Sequence, residues 1–467
     1  MQKLTPLQII LIVFFIIITI VAVLIFAGVL PGIKPTETQI QPGFSDQISF
    51  WGTVPENFFV SIFEKFKGQS GIDVTYRQIP EANYISSITE ALASGAGPDL
   101  WLLKEDELLS NISKTSLINK AVYSERSFRD QFLDEASDLL IWAEGFAGFP
   151  LTVDPLVLYW NRALFRSENI AAPPKNWSEF ISFSEKLTKI DPSGNILQSG
   201  AAFGEFSNVR HAKDIFSLLI LQSENPIVKI SKTNISESEI RTQFTSTLTV
   251  PGQAALPATE SAARFFSDFS DPRKTSYSWS RVLPDSREFF VQGRLAMYIG
   301  YGSEYYEIRA QNPHLDFDIA EIPQITAATP TSGPNLPAAT FGHMNIMVIS
   351  KQSSQLKKNA AINLINYIAL DKNAQEAISK STNHAPILRT LLAVNPADPV
   401  ASIIYKSAIK ARGWLDPSPR ETKQVFAEIV SSSLSRRELL RDAIDKASKR
   451  LQALLDQVNI PREISTP

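Results

Sequence analysis

The chain has 467 residues, a formal net charge of −3, 44% hydrophobic residues, 29 prolines and no cysteine. That length points to two or three packed units, and the near-neutral charge argues against nucleic-acid binding, which rests on a basic footprint. Without cysteine there are no disulfides, thiolate metal sites, cysteine nucleophile or thioether lipid anchor. The four histidines, His211, His314, His343 and His384, are too scattered for a clustered zinc site, and no metal or cofactor is expected.

Leu7 to Leu30 is a nearly unbroken apolar run. As a helix it spans roughly 36 Å, enough for a hydrocarbon core of about 30 Å. Signal-peptide apolar regions usually run about 7–15 residues and end at small residues. This run is longer and ends at Leu30-Pro31-Gly32, so it reads as a retained signal anchor over 7–30. Lys3 favours a cytoplasmic N-terminus and an extracytoplasmic body. Residues 31–43, rich in Pro, Gly, Thr and Gln, read as a tether.

Gln47–Trp51 reads as a strand, and Thr53-Val54-Pro55-Glu56 has the capping-box pattern. Phe58, Phe59, Ile62, Phe63 and Phe66 follow at helical spacing, with Gly68 predicted to stop that helix. Ile72–Ile79 is β-rich, Tyr84–Ala93 is helical, and Gly95–Asp99 turns into a buried strand at Leu100–Leu103. This alternation predicts a parallel sheet with helical crossovers. Val153–Trp160 opens a second region. It holds helices near Trp177–Leu187, Ala212–Leu221 and Ala262–Phe269, and strands near Leu295–Ile299 and Phe317–Ile322. Pro323–Thr340 reads as an exposed loop. A strand at Asn345–Ile349, an amphipathic helix at Lys357–Leu370 and terminal helices at Gln424–Leu434 and Glu438–Val458 complete the pattern. The apolar stripe of the last helix runs only about three heptads and reads as docking onto the body rather than a coiled coil.

The order of these segments resembles the extracytoplasmic solute-binding proteins of ABC importers, in particular the sugar-type family that includes maltose-binding protein. The resemblance is carried by Ile48-Ser49-Phe50-Trp51-Gly52, by Phe63-Glu64-Lys65-Phe66 with Gly71-Ile72-Asp73-Val74, and by Ala93-Ser94-Gly95-Ala96-Gly97-Pro98-Asp99-Leu100. It continues through Phe149-Pro150, Leu158-Tyr159-Trp160-Asn161-Arg162, Pro173-Pro174-Lys175-Asn176-Trp177 and Phe290-Val291-Gln292-Gly293-Arg294-Leu295-Ala296-Met297. It covers Ile48 to Leu455 and implies a two-lobed α/β fold of the periplasmic-binding-protein-like type II, preceded by one transmembrane helix. On that pattern lobe one is 44–152 plus 342–383, and lobe two is 153–341 plus 384–458, with ligand held between them. Independently, the carboxyl ends of strands in open α/β sheets form binding crevices, which places Trp51–Thr53, Pro80–Tyr84 and Leu103–Glu107 at one.

Trp51, at the sharp turn of Gly52, is suited to stacking on a planar ligand face or to capping its strand in the core. Tyr84 starts a helix at the same edge and has the same two readings. Thr53 is explained by helix capping. Asp106 falls where the resemblance places sugar contacts, and a carboxylate accepting two hydroxyl bonds suits a polyol. Glu105 and Glu107 read as a solvated acidic loop. Asp154, among apolar neighbours and before Pro155, is a charge that needs a reason, and the resemblance implies a ligand contact there. Ser303 stands where the family often has a stacking tryptophan, leaving Tyr301 or Tyr305 to supply a ring. His343 lies at the return crossing as a hydrogen-bonding partner or a hinge residue. Trp414 lies on a loop expected to approach the cleft, whereas the stripe Val425, Phe426, Ile429 and Val430 predicts core packing for Phe426.

No nucleophile elbow or phosphate loop is present, since Gly300-Tyr301-Gly302-Ser303-Glu304 lacks the closing glycine and Gly95–Gly97 lacks the Lys-Ser/Thr pair. The expectation is a non-enzymatic, monomeric, membrane-tethered receptor. It would close on a sugar or polyol and deliver it to ABC permease subunits. An extracytoplasmic sensor or adaptor and an anchored glycan hydrolase are the alternatives.

Overall fold

The computed structural model describes residues 47–223, 225–236, 239–250, 257–325, 337–461 and 464–465. The expected anchor, 7–30, and tether, 31–43, lie outside them. Among the described residues no helix is long and apolar enough to cross a membrane.

The strands are β1 Gln47–Gly52, β2 Asp73–Gln78, β3 Leu100–Lys104, β4 Thr115–Ile118 and β5 Phe149–Asn161, followed by β6 Lys189–Ile190 and β7 Ile196–Ala201. Next come β8 Val228–Asn234, β9 Ile240–Ser246, β10 Leu295–Tyr301, β11 Phe317–Ala320 and β12 Thr340–Ser350, then the short β13 Ala385–Pro386, β14 Ala411–Arg412 and β15 Ile464–Ser465. The main path runs β2-β1-β3-β12-β5-β10-β7-β6, and β8 pairs only with β9. As expected, β1 is parallel to both β2 and β3, with helices Val60–Ser70 and Tyr84–Ala93 in the crossovers.

The long strand β5 joins two groups of strands. Its first half pairs with β12 as far as Pro155, opposite Gly342, and its second half pairs with β10 from Leu156, opposite Tyr301. The change of partner falls between Pro155 and Leu156. After residue 384 the chain stays with the first group for a stretch, since β13 pairs with Thr152 and Val153 and helix Arg389–Leu392 contacts helix Glu125–Gln131. Helices Pro419–Ser435 and Leu440–Leu455 then pack on each other and on Ala258–Asp268 in the second group.

Helices Tyr84–Ala93, Trp177–Leu187 and Ala212–Leu221 have their predicted bounds. The capping box at Thr53–Glu56 does not form. Pro55 instead leads into a 3-10 turn, Glu56–Phe58, and the helix after it has no side-chain cap. That helix runs through Gly68 and ends at Gly71, whose φ of 73° is the left-handed stop that glycine accepts without a Cβ clash. The β8–β9 hairpin was not anticipated.

Phe50, Phe59, Phe63 and Tyr76 form an aromatic knot under β1, with centroids 4.8–6.2 Å apart. Tyr84 sits at the edge of this core, and its hydroxyl donates to the Trp51 carbonyl at 2.9 Å while accepting the Leu102 N–H at 2.9 Å. That one oxygen joins β1 to β3, so Tyr84 is a structural tie. Tyr84→Phe leaves two buried backbone groups unpaired and is expected to cost about 1–3 kcal/mol, read as a shift in the urea unfolding midpoint.

Candidate ligand-binding cleft

The ends of β3 and β12 and the first turn of helix Ala212–Leu221 converge on one buried ionic network. Glu105, fully buried, places Oε1 at 2.6 Å from His343 Nδ1 and accepts the Met344 N–H on Oε2 at 2.7 Å. The solvated acidic loop expected at Glu105 is thus overturned. Lys104 opens a short helix, Glu105–Asn111, whose first residue turns inward against β12. Asp106 takes the ammonium of Lys213 at 3.2 Å, and the same ammonium reaches buried Asp416 at 2.9 Å. Thr422 Oγ1 also donates to Asp416, at 2.5 Å.

Tyr301 stacks on His343, with centroids 5.0 Å apart and planes at 27°, and its hydroxyl donates to Asp214 Oδ2 at 2.9 Å. His211 meets the edge of the same ring and lies 2.8 Å from Glu304. Asp154, 7% exposed, accepts the Ser303 N–H at 3.2 Å and lies 3.5 Å from His384. The predicted residues Asp106, Tyr301 and His343 are therefore drawn into one network, and Asp154 and Ser303 into direct contact.

Burial alone would depress the basicity of His343, but the carboxylates of Glu105, Asp106 and Asp214 outweigh it and raise the pKa to about 10. The same contest raises Lys213, where burial is overcome by Asp106 and Asp416. Burial also raises the carboxyl of Asp154, with His384 opposing it. Glu105, Asp106 and His343 bring ligand atoms within 4.8 Å of one another, a spacing open to a divalent cation. Each already has a protein partner, however, and a protonated His343 has no free lone pair to offer. The arrangement is a carboxylate–imidazolium–ammonium network.

The other predicted residues lie apart. Trp51 is 8% exposed and carries the Arg77 guanidinium 4.5 Å from its ring centroid. Gly52 is packed so closely that a Cβ would meet the Tyr76 hydroxyl at 2.5 Å. Tyr305 packs on Phe317 and accepts a hydrogen bond from Arg309 at 3.2 Å. Trp414, 2% exposed, leans on Phe426 and donates to Ser217 Oγ at 3.2 Å, with the Lys213 ammonium 5.8 Å from its ring centroid. It supports the network from below.

The sequence reading missed Lys213, Asp214, Asp416 and His384. A signal for the first two was present: they are the only charges in Ala212–Leu221, a segment otherwise apolar enough to be buried all round.

The model of the bacterial extracellular solute-binding protein family matches residues 61–402. The chain belongs to that family. It is a family of binding proteins rather than of enzymes. Relatives of this solute-binding protein in Brucella abortus (strain 2308) and Brucella suis biovar 1 (strain 1330), named as binding proteins, are 22% identical over 305 residues, 65% of this chain and 66% of theirs. Among solved structures, a cyclo/maltodextrin-binding protein complexed with maltotetraose aligns with 91% of this chain and 100% of its own, at 18% identity and a TM-score of 0.67. A cyclic α-maltosyl-1,6-maltose binding protein from Arthrobacter globiformis covers 88% of this chain and 98% of its own, at 14% identity and TM-score 0.68. UgpB from Mycobacterium tuberculosis, in complex with glycerophosphocholine, covers 88% and 99%, at 17% identity and TM-score 0.63. The mixed α/β fold matches that of two-lobed periplasmic binding proteins.

Proposed function

We propose that this solute-binding protein captures a small polyhydroxylated ligand, an oligosaccharide or polyol, between two hinged lobes and hands it to an ABC transporter permease. The observation that carries the reading is the meeting of Glu105 and Asp106, at the end of β3, with Lys213, Asp214 and Tyr301 of the second strand group across β5 and β12. These groups satisfy one another directly where they meet. Parted, they offer donors and acceptors on two facing surfaces, and a ligand bridging both stabilises the shut arrangement by its differential affinity. Asp106 and Asp154 supply charged acceptors for hydroxyls, and Tyr301 supplies the ring in place of the missing tryptophan. The apolar run 7–30 would hold the body on the outer face of the membrane.

The test is a titration of the purified protein with maltodextrins, glycerophosphocholine and linear polyols, followed by tryptophan fluorescence and small-angle scattering. A ligand is expected to give saturable fluorescence and a smaller radius of gyration. Asp106→Asn and Asp154→Ala are expected to weaken it about tenfold or more, the loss of one charge-assisted bond. Silence of both signals across the whole panel defeats the reading.

A further inference from the structure

A cavity of about 540 Å³ lies between helix Asp134–Leu140 and the β8–β9 hairpin, and it shares no lining residue with the predicted cleft set. The hairpin forms its roof and is fastened at both ends. Thr242 of β9 donates its N–H and hydroxyl to the Glu144 carboxylate at 2.9 and 2.7 Å and accepts the Ala143 N–H at 2.8 Å. Phe244 meets the edge of Trp142 at 5.3 Å, and Gln452 and Ser448 of the last helix hold Ser246 from the other side. The space is therefore a half-open cavity roofed by a tied hairpin, with Trp142, Ile141 and Val228 as its apolar walls.

Its polar lining is out of balance. Both carboxyl oxygens of Glu135, 2% exposed, and the hydroxyl of Ser137, 3% exposed, have no hydrogen-bond partner. A buried group without a partner costs about 1–3 kcal/mol, so two such side chains lining one cavity call for an occupant. Arg412 spends one hydrogen bond, 2.7 Å, on the Ala411 carbonyl, and neither it nor Arg129 forms an ion pair among the described residues. Lys229 and Lys232 line the opposite side. Burial, reinforced by the nearby charge of Glu105, raises the Glu135 carboxyl well above the carboxylate range. Against the acids Glu135 and Asp138 in the lining, and Asp134 beside the two arginines, the cavity presents four cations, of which Lys232 already pairs with Glu125 at 3.4 Å.

We propose that this cavity binds a small organic anion, a carboxylate or phosphate monoester on a compact body, held by Arg412 and Arg129 with Glu135 and Ser137 donating hydrogen bonds. The guanidinium groups take the charge in planar forks, the two orphaned groups complete its hydrogen bonding, and the Trp142 wall covers the body. This is a second site, independent of capture in the cleft.

Calorimetric titration of the purified protein with glucuronate, glycerol 3-phosphate and glucose tests it. One or both anions are expected to bind saturably, and the pair separates a carboxylate site from a phosphate site. Glucose is expected to bind at least about tenfold more weakly, as an anion–guanidinium contact implies. Arg412→Gln and Arg129→Gln are each expected to weaken the anion about tenfold or more. Arg129 is exposed, so its replacement carries no folding burden. Glu135→Gln keeps a donor and is expected to retain binding, and Asp106→Asn is expected to leave it unchanged. No binding of either anion, equal binding of glucose, or an affinity that follows Asp106 rather than the arginines overturns the proposal. Loss on Glu135→Gln also overturns it, since that outcome marks an ionised Glu135 built for a cation.

Discussion

Lys213→Ala is expected to lower the unfolding free energy by about 3–5 kcal/mol, the usual cost of removing one partner from a buried ion pair. The Lys213 side chain is 10% exposed, and its ammonium lies between Asp106 at 3.2 Å and Asp416 at 2.9 Å, with Asp416 wholly buried. Truncation leaves Asp416 with Thr422 and its local amide partner but no counter-charge. Urea unfolding at pH 7 measures the loss. Burial already raises the Asp416 carboxyl, with Lys213 opposing it, so the penalty should shrink as the pH is lowered and the freed carboxyl takes a proton. The double variant Lys213→Ala/Asp416→Ala should lose less than the two single losses added, because the second truncation removes the stranded charge. A loss below about 1 kcal/mol, the scale of an exposed pair, would mean that this pair stands in water.

The second large effect is a loss of stability in alkali. The His343 pKa is raised from 6.5 to about 10. A group whose folded pKa exceeds its unfolded value contributes stability that is complete below the unfolded pKa. As pH climbs from about 6.5 towards 10, the unfolded chain releases this proton while the folded protein keeps it, so stability declines across that window. At about 1.4 kcal/mol per unit the decline is on the order of 4 kcal/mol. Urea midpoints at intervals from pH 6 to 10 are expected to fall steadily. His343→Gln, which removes the titration, should start lower and give a flatter profile. Parallel profiles for the two proteins would show that His343 does not hold its proton.

The first effect comes from Lys213 and Asp416, which the sequence reading did not single out, and the second from His343, which it did, held by Glu105, which it treated as surface. Glu105 looked like one of three acids in a row, and nothing local distinguished the one that turns inward. Asp154 was different: a carboxylate within an apolar strand announces a partner, though not that Ser303 and His384 would supply it. Trp414 and Tyr84 were placed at the cleft from their neighbours in sequence, but packing uses Trp414 as a floor and Tyr84 as a strand tie. Tyr305 was picked for its position after β10, yet a helix beginning at Glu304 turns it towards Phe317.

What the amino-acid order determined by itself was local and periodic: the parallel opening strands, the crossover helices with their apolar faces, the long strand through Asp154, and motifs in register that mark the family. Such features depend on residues a few positions apart, where spacing decides which side chains share a face. The charge network was decided only by tertiary structure. His343 and Glu105 are 238 residues apart, and Lys213 and Asp416 are 203. An ion pair has no sequence period, so which charges are desolvated together emerges only when β5 and β12 bring two halves of the chain face to face.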